Sequence, residues 1–313
     1  MSPSPNEYGN FLIASSMTRA FTLGILSFAL DSFSVRRLRQ AITARNHQSK
    51  LLDANQISLI CAQNQLSSRL ANKSVPALDV VIPRLGAGSP SEGIDIVRHF
   101  ELAKTPVTNS AQAICRAREK FLTLQMLTAA NVPVPPSCCV THAAGARAAI
   151  EQLGGAPVIL KLNRGTQGIG VMLAESAKSA EAIFETMQLT HTPVVIQKYI
   201  GECRGRDVRA FVVNGQVVAA MRRLAQGDEF RSNYHRGGRV EACKLDEDTA
   251  EIAIRAANTL GLHIAGVDIL ESSHGPLVME LNSSPGLEGI ESATNIDVAG
   301  KVIEFTLLKA KEA

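Results

Sequence analysis

The chain has 313 residues and a mass of 33.4 kDa, room for two or three packed domains, and its 45% hydrophobic and 19% charged residues are ordinary for a soluble globular protein. A formal charge of +3, a sequence pI near 8.5, 4% aromatic residues and no tryptophan argue against DNA or RNA as the main partner, because both the basic field and the stacking platforms are weak. No apolar run reaches the roughly eighteen residues that a membrane-spanning helix needs.

Residues 1–20 are polar and then briefly apolar. With the following FTLGILSFAL they imitate a signal peptide, but Thr18 and Arg19 interrupt the apolar run. The expectation is a disordered tail, or a true start at Met17, followed by a first strand. FTLGILS (21–27) reads as a buried strand, and SVRRLRQAITARNH (34–47) has helical spacing at Val35, Leu38 and Ile42. SKLLD and LDVVIPRL (78–85) read as further strands, the latter stopped by Pro83 and Gly86. The first hundred residues thus predict a small open α/β domain with a parallel sheet.

From Ser110 the texture changes. ICRAREKFLTLQMLTAA predicts one helix of about four turns, ended by Asn131 and the prolines at 133, 135 and 136. APVILKL (156–162) predicts a strand that runs into a glycine loop, GTQGIG (165–170), and a second short strand. A helix over SAEAIFETMQ and a strand over PVVIQKYI (193–200) complete a compact α+β block. In DVRAFVVNGQVVAAMRRL (207–224) two strands meet at Asn214–Gly215, the sharpest hairpin signal in the chain. EDTAEIAIRAANTLG predicts a helix ending at Gly261, IAGVDIL and PLVMEL predict antiparallel strands joined across SSHG, and DVAGKVIEFTLLKAKEA predicts a terminal helix.

Several constellations can carry chemistry. Glu280 and Asn282 share a strand face in VMELNSSPG, and Asp268 ends a neighbouring apolar strand. Three hard oxygen donors there suit Mg2+, and a salt bridge or turn cap is the plain alternative. GTQGIG is neither the dinucleotide pattern nor a P-loop, and it joins two strands, so it reads either as a hairpin turn or as a flexible cover for phosphates. Lys161 precedes that loop and Lys120 opens the same block; each reads as a phosphate contact or as a solvated side chain. Arg209, Arg222, Arg223 and the run RSNYHRGG (231–238) form either a solvated basic loop or a clamp for phosphate and carboxylate. The six cysteines, at 61, 115, 138, 139, 203 and 243, show no CxxC or metal spacing, which fits a reducing, cytoplasmic compartment. No nucleophile triad is visible.

Taken together, KLNRGTQGIGV, VIQKYI, RDVRAFVV, FRSNYHRGG, AGVDIL and VMELNSSPGLEGIE resemble the RimK family of ATP-grasp ligases, the ribosomal protein S6 modification enzymes that attach glutamate to a C-terminus. The resemblance runs from about Phe21 to the terminal helix. It implies an ATP-grasp fold with mixed α/β and α+β architecture: a preATP-grasp α/β domain over 21–115, a small central lid subdomain over 116–200 and a C-terminal catalytic subdomain over 201–313, with residues 1–20 outside it.

On the same ground, ATP would lie between the last two subdomains. Lys120 and Lys161 would touch its phosphates, and Gly165, Thr166, Gln167, Gly168 and Gly170 would close over them. Gln197, Lys198, Tyr199 and Ile200 would form the adenine hinge, and Asp207 would approach the ribose or nearby polar groups. Asp268, Glu280 and Asn282 would hold two Mg2+ ions, or Mn2+ in their place. Arg209 would steady the transferring phosphoryl group, and Asn233, His235 and Arg236 would shape the acceptor site. Lys198 and Arg164 depart from the family pattern, the first standing where an acidic residue is common.

The implied partners are glutamate and an acidic polypeptide C-terminus, that of ribosomal protein S6, with neither DNA nor a membrane, and the implied assembly is a homo-oligomer, dimer or tetramer. The implied reaction is ATP-dependent carboxylate–amine ligation through an acylphosphate. Synthesis of free poly-α-glutamate, ligation of an amino acid to a small metabolite, and a non-catalytic ATP-binding regulatory module are the alternatives.

Overall fold

Alternating apolar residues set the first sheet. In the computed structural model the described residues are 19–86, 88–163, 165, 170–189, 193–227, 229, 230 and 238–312. The N-terminal part runs β1 (Thr22–Ser27), α1 (Phe33–Thr43), β2 (Gln48–Asp53), β3 (Ile57–Ala62), β4 (Gln65–Leu70), β5 (Lys73–Ser74), β6 (Val80–Arg84) and α2 (Glu92–Leu102). Strands β2, β1 and β6 form a parallel sheet in that order. Leu23, Ile25, Val80 and Ile82 face α1, while Leu26 and Val81 face the opposite layer with Ile94, Val97 and Phe100 of α2. Both faces are covered, as a parallel sheet requires.

Two features differ from expectation. The segment 57–74 folds as a three-stranded antiparallel meander, β3–β4–β5, which the sequence reading did not identify. Its two-residue turns use Gln63–Asn64 and Ala71–Asn72, all at positive φ without a glycine, so the usual hairpin signal is missing. Strand β6 also continues through Pro83 to Arg84 rather than stopping at the proline. Among the described residues the outer side of β6 meets only a bridge at Val81, so the absent N–H of Pro83 removes no ladder bond.

The connecting helix is two helices, α3 (Ala111–Arg118) and α4 (Lys120–Ala129), broken at Glu119, whose φ of −96° and ψ of 95° are extended. This corrects the single helix expected over 114–130. The break is held from outside the helix: Asn163 accepts from Phe121 N at 2.9 Å and donates to Glu119 Oε2 at 2.9 Å.

The middle part runs β7 (Ser137–Val140), α5 (Ala143–Gln152), β8 (Val158–Leu162), β9 (Val171–Ala174), α6 (Ala177–Gln188) and β10 (Val194–Lys198). The antiparallel sheet has the order β7–β10–β8–β9. Val158, Leu160, Val194 and Ile196 bury one face against Ile150, Phe184 and Met187 of α5 and α6. The alternate residues Ile159, Lys161 and Gln197 are thereby turned to the other face.

The last part runs β11 (Arg206–Val213), β12 (Gln216–Leu224), β13 (Arg239–Ala242), α7 (Glu247–Leu260), β14 (Ile264–Ser272), β15 (Gly275–Asn282), α8 (Glu288–Thr294) and α9 (Val298–Lys311). It forms a five-stranded antiparallel sheet, β13–β12–β11–β14–β15. The turn between β11 and β12 has Asn214 at φ 48° and Gly215 at φ 73°, the paired left-handed geometry that the Asn-Gly dipeptide favours. One sheet face packs Ala210, Val212, Val267 and Ile269 on Ala253, Ala256 and Leu260 of α7. On the other, Phe211, Val213 and Met221 join a core shared with Leu38 of α1 and Val302 and Ile303 of α9. The terminal helix therefore returns to the first domain and ties the two sheets together. Among the described residues, no helix is long and apolar enough to cross a membrane.

Candidate active site

The α9-side face of the large sheet is apolar at one end and ionic at the other. At its ionic end Asp207, Arg209, Arg223, Asp268, Glu280 and Asn282 line a cavity of about 610 Å³. Lys120 from α4 and Lys161 and Gln197 from the middle part line the same space, as do Ser27, Ser34 and Arg84 from the first domain.

Strand irregularities aim these side chains. Asp268 lies directly opposite Glu280 on β14 and β15, and the next pair is Ile269 with Val278, so Met279 is an unopposed bulge residue. The bulge switches the alternation: Val278 and Leu281 stay in the α7 core while Glu280 and Asn282 face the cavity. Asn282 donates Nδ2 to Asp268 Oδ2 at 3.4 Å. The three predicted metal ligands are therefore together. They are two carboxylates and a carboxamide on paired strands, and among the described residues no cluster of three His, Cys, Asp or Glu side chains forms there. Oxygen donors of this kind fit a hard divalent ion such as Mg2+.

A chain of alternating charges crosses the site. Arg209 clasps Asp268 through Nε and Nη2, each at 2.7 Å. Arg223 reaches Asp268 Oδ2 at 2.9 Å and also clasps Asp207 at 2.6 and 2.7 Å. Asp207, Arg223 and Asp268 are 2–3% exposed, so this pairing is what makes their burial tolerable. Burial works against the Asp268 carboxylate, but Arg209 and Arg223 outweigh it and hold its pKa below the ordinary value. Burial likewise opposes the Arg223 charge, and Asp268 and Asp207 outweigh it. Asp207 was expected near the ribose; it lines the cavity, but its carboxylate is committed to Arg223.

The sequence reading grouped Arg222 with Arg223, and the structure separates them. Arg222 turns away and pairs with Glu271 at 2.8 Å and Glu241 at 3.3 Å. Only Arg223 enters the site.

Lys161 is buried and donates to Gln197 Oε1 at 2.7 Å. Burial, partly offset by Glu280, lowers its pKa to about 8. Gln197 is held in turn by a 2.8 Å bond from its Nε2 to Ser137 Oγ. Lys120 is the first residue of α4 because of the break at Glu119; its Nζ donates to Gly165 O at 2.8 Å. Burial lowers its pKa too, against the pull of Glu280. Glu280 therefore acts on both lysines across the cavity. Gly165 lines the cavity, and Gly170 closes the far side of the loop at φ 69°, where an added Cβ would stand 2.8 Å from Leu162 Cδ1. The expected hinge residues Lys198, Tyr199 and Ile200 line the same cavity, Lys198 with an exposed side chain and its backbone N–H on Pro136 O at 2.8 Å. Arg164, Thr166, Gln167, Gly168, Asn233, His235 and Arg236 lie outside the described residues.

Arg84 was not anticipated. Nothing in VIPRL distinguishes it from a strand-end cation; its role emerges only when the first domain folds against the loop after Asn282.

Comparison with known proteins agrees with this architecture. Residues 21–114 match the model of the RimK PreATP-grasp domain, and residues 117–306 match that of the RimK-like ATP-grasp domain. The chain is 47% identical over 283 residues to a probable alpha-L-glutamate ligase of Rhodopirellula baltica, covering 90% of this chain and 70% of that protein. It is 44% identical over 288 residues to a probable alpha-L-glutamate ligase of Aeromonas salmonicida, covering 92% and 97%. Among solved structures, the ATP-grasp ligase PsnB complexed with a minimal precursor has the same fold, with a TM-score of 0.73 at 23% identity over 93% of this chain and 99% of that one. The two domain matches, the order of the sheets and the shared cavity lead to one conclusion: the chain belongs to the RimK family of ATP-grasp enzymes and is an ATP-dependent ligase.

Proposed function

We propose that the protein is an α-L-glutamate ligase that extends an acidic polypeptide C-terminus, ribosomal protein S6 being the acceptor that the sequence motifs favour. The observation that carries this reading is the meeting of Lys120 and Lys161 with Asp268, Glu280 and Asn282 around one cavity. Two cations that share a carboxylate neighbour suit a triphosphate held beside a divalent ion. The names of the relatives support glutamate as the amine substrate.

In this reading a carboxylate oxygen of the acceptor attacks the γ-phosphorus of ATP, the bond to the β–γ bridging oxygen breaks, and ADP leaves. The amine of glutamate then attacks the acyl carbon, phosphate departs with the bonding pair of the C–O bond, and the amine gives up a proton as the amide forms. Asp268, Glu280 and Asn282 would hold two Mg2+ ions, which would neutralise charge on the phosphoryl oxygens. Lys120 and Lys161 hold the phosphates, and the 165–170 loop covers them. Arg209 steadies the transferring group, and Arg223 fixes Asp268 so that Arg209 and the metal set keep their places. The subdomain over 116–200 closes to keep water from the acylphosphate. Asn233, His235 and Arg236 shape the acceptor side.

Release of ADP from Mg-ATP is the test, measured with each of the twenty amino acids, with and without a peptide ending in Glu-Glu, and with product masses read from the same tubes. Glutamate-dependent ADP with glutamyl mass steps on the peptide is expected. Glutamate-dependent ADP with free oligomers only would move the protein to poly-glutamate synthesis, and ADP driven by another amino acid would remove the glutamate assignment.

A further inference from the structure

Arg84 is a cavity cation that the phosphate-facing lysines and the ion chain leave unused. Arg84 ends β6 and lines the cavity from the first domain. Its Nη2 donates to Pro285 O at 2.7 Å and Ser284 O at 3.3 Å. Among the described residues no carboxylate pairs with it, and its Nε and Nη1 donate to no described residue. The backbone beneath it is fixed: Ser284 Oγ accepts from Leu85 N at 3.1 Å and donates to Pro83 O at 3.3 Å. Pro285 packs on Gly266 of β14, where an added Cβ would come within 2.8 Å of it. A rigid guanidinium thus stands beside the loop that follows Asn282, with its Nε–H and Nη1–H donors open.

We propose that Arg84 anchors a substrate carboxylate that stays intact through the reaction. The inference rests on the reading of the protein as a carboxylate–amine ligase. Such a reaction consumes one carboxylate and leaves others: the α-carboxylate of the incoming amino acid, and the side-chain carboxylates of an acidic acceptor. Either loses water on entering the cavity and needs a charged partner there. The open Nη1 group of this cation can donate a charge-assisted hydrogen bond to a carboxylate oxygen. Burial alone, without a counter-charge, brings the Arg84 pKa down to about 10, so the group is still charged at neutral pH and its charge is uncompensated until an anion arrives. In the proposed reading the phosphates have other partners, Lys120 and Lys161, which come from α4 and β8 rather than from β6.

A bare latch for the 284–286 loop would also use Nη2, so the test must read chemistry rather than stability. Enzyme loaded with ADP and Mg2+ is titrated calorimetrically with L-glutamate, its α-carboxamide, a peptide ending in Glu-Glu and a peptide ending in Ala-Glu. In the wild type, removing the anchored carboxylate should weaken binding roughly tenfold to hundredfold, the range for a charge-assisted bond. Arg84→Met should weaken the intact ligand to the level of its analogue and leave the analogue and ADP unchanged. The ligand that shows this names the source of the carboxylate. Arg84→Lys, which keeps the charge without the planar donor set, should retain part of the discrimination, and it replaces Arg84→Met if that variant does not fold. Unchanged discrimination in both variants, or weakened ADP binding in place of weakened carboxylate binding, overturns the proposal. If the wild type binds peptide but not glutamate, the glutamate reading falls and the peptide pair alone decides Arg84. If it binds neither, the carboxylate site is refuted.

Discussion

Lys161 shows how one side chain carries both fold and chemistry. It ends an apolar strand, has Gln197 as a neutral partner, and burial lowers its pKa from 10.5 to about 8. Between those values the unfolded chain holds a proton that the folded chain has released, so stability rises with pH across that window. Below it the buried charge weighs against the fold. A triphosphate held by Lys161, as proposed, would reverse the preference by stabilising the ammonium, so nucleotide binding near pH 8.5 should take up protons. Calorimetry in buffers of different ionisation enthalpy will show that uptake in the wild type and its loss in Lys161→Met; equal uptake in both would assign it elsewhere. Arg223 gives a second prediction. Replacing it with Met leaves Asp207 buried without its guanidinium and should cost about 3–5 kcal/mol in urea denaturation. Arg222→Met breaks only exposed pairs and should cost less than about 1 kcal/mol.

At the scale of elements, the site is set by small departures from regular structure. Counting back from the Asn214–Gly215 turn without interruption pairs Asp207 with Arg222, but the register shift between Phe211 and Val212 pairs it with Arg223. A one-residue bulge therefore decides which arginine enters the cavity, and neither the alternation nor the turn reveals it. The grouping of Glu280 and Asn282 with Asp268 was legible because Glu280 and Asn282 obey simple alternation up to their end of β15. The break at Glu119 was not legible, because it depends on Asn163, which is 44 positions away in the sequence. The parallel sheet, the 214–215 hairpin and the terminal helix were legible from local pattern; the 57–74 meander was hidden by turns without glycine. Asn163→Ala should lower stability by about 1 kcal/mol, as for the loss of a helix cap. It should also raise KM for ATP, since α4 carries Lys120; an unchanged KM would mean that the break does not position that lysine.

At the scale of the molecule, the cavity draws on all three parts of the chain, and α9 binds the last part to the first. Ligand bound there should stabilise the assembly as a unit. Mg-ADP at a hundred times its Kd should add about 2.7 kcal/mol and shift a common melting transition. A shift confined to one of two separate transitions would contradict the tie through α9.

The measurement that bears most directly on the chemistry uses an acceptor peptide whose terminal carboxylate is labelled with heavy oxygen, incubated with Mg-ATP and glutamate. Activation by phosphoryl transfer to that carboxylate predicts one labelled oxygen in each phosphate released, with transfer lost in Glu280→Gln. Unlabelled phosphate accompanying peptide extension would rule out the acylphosphate.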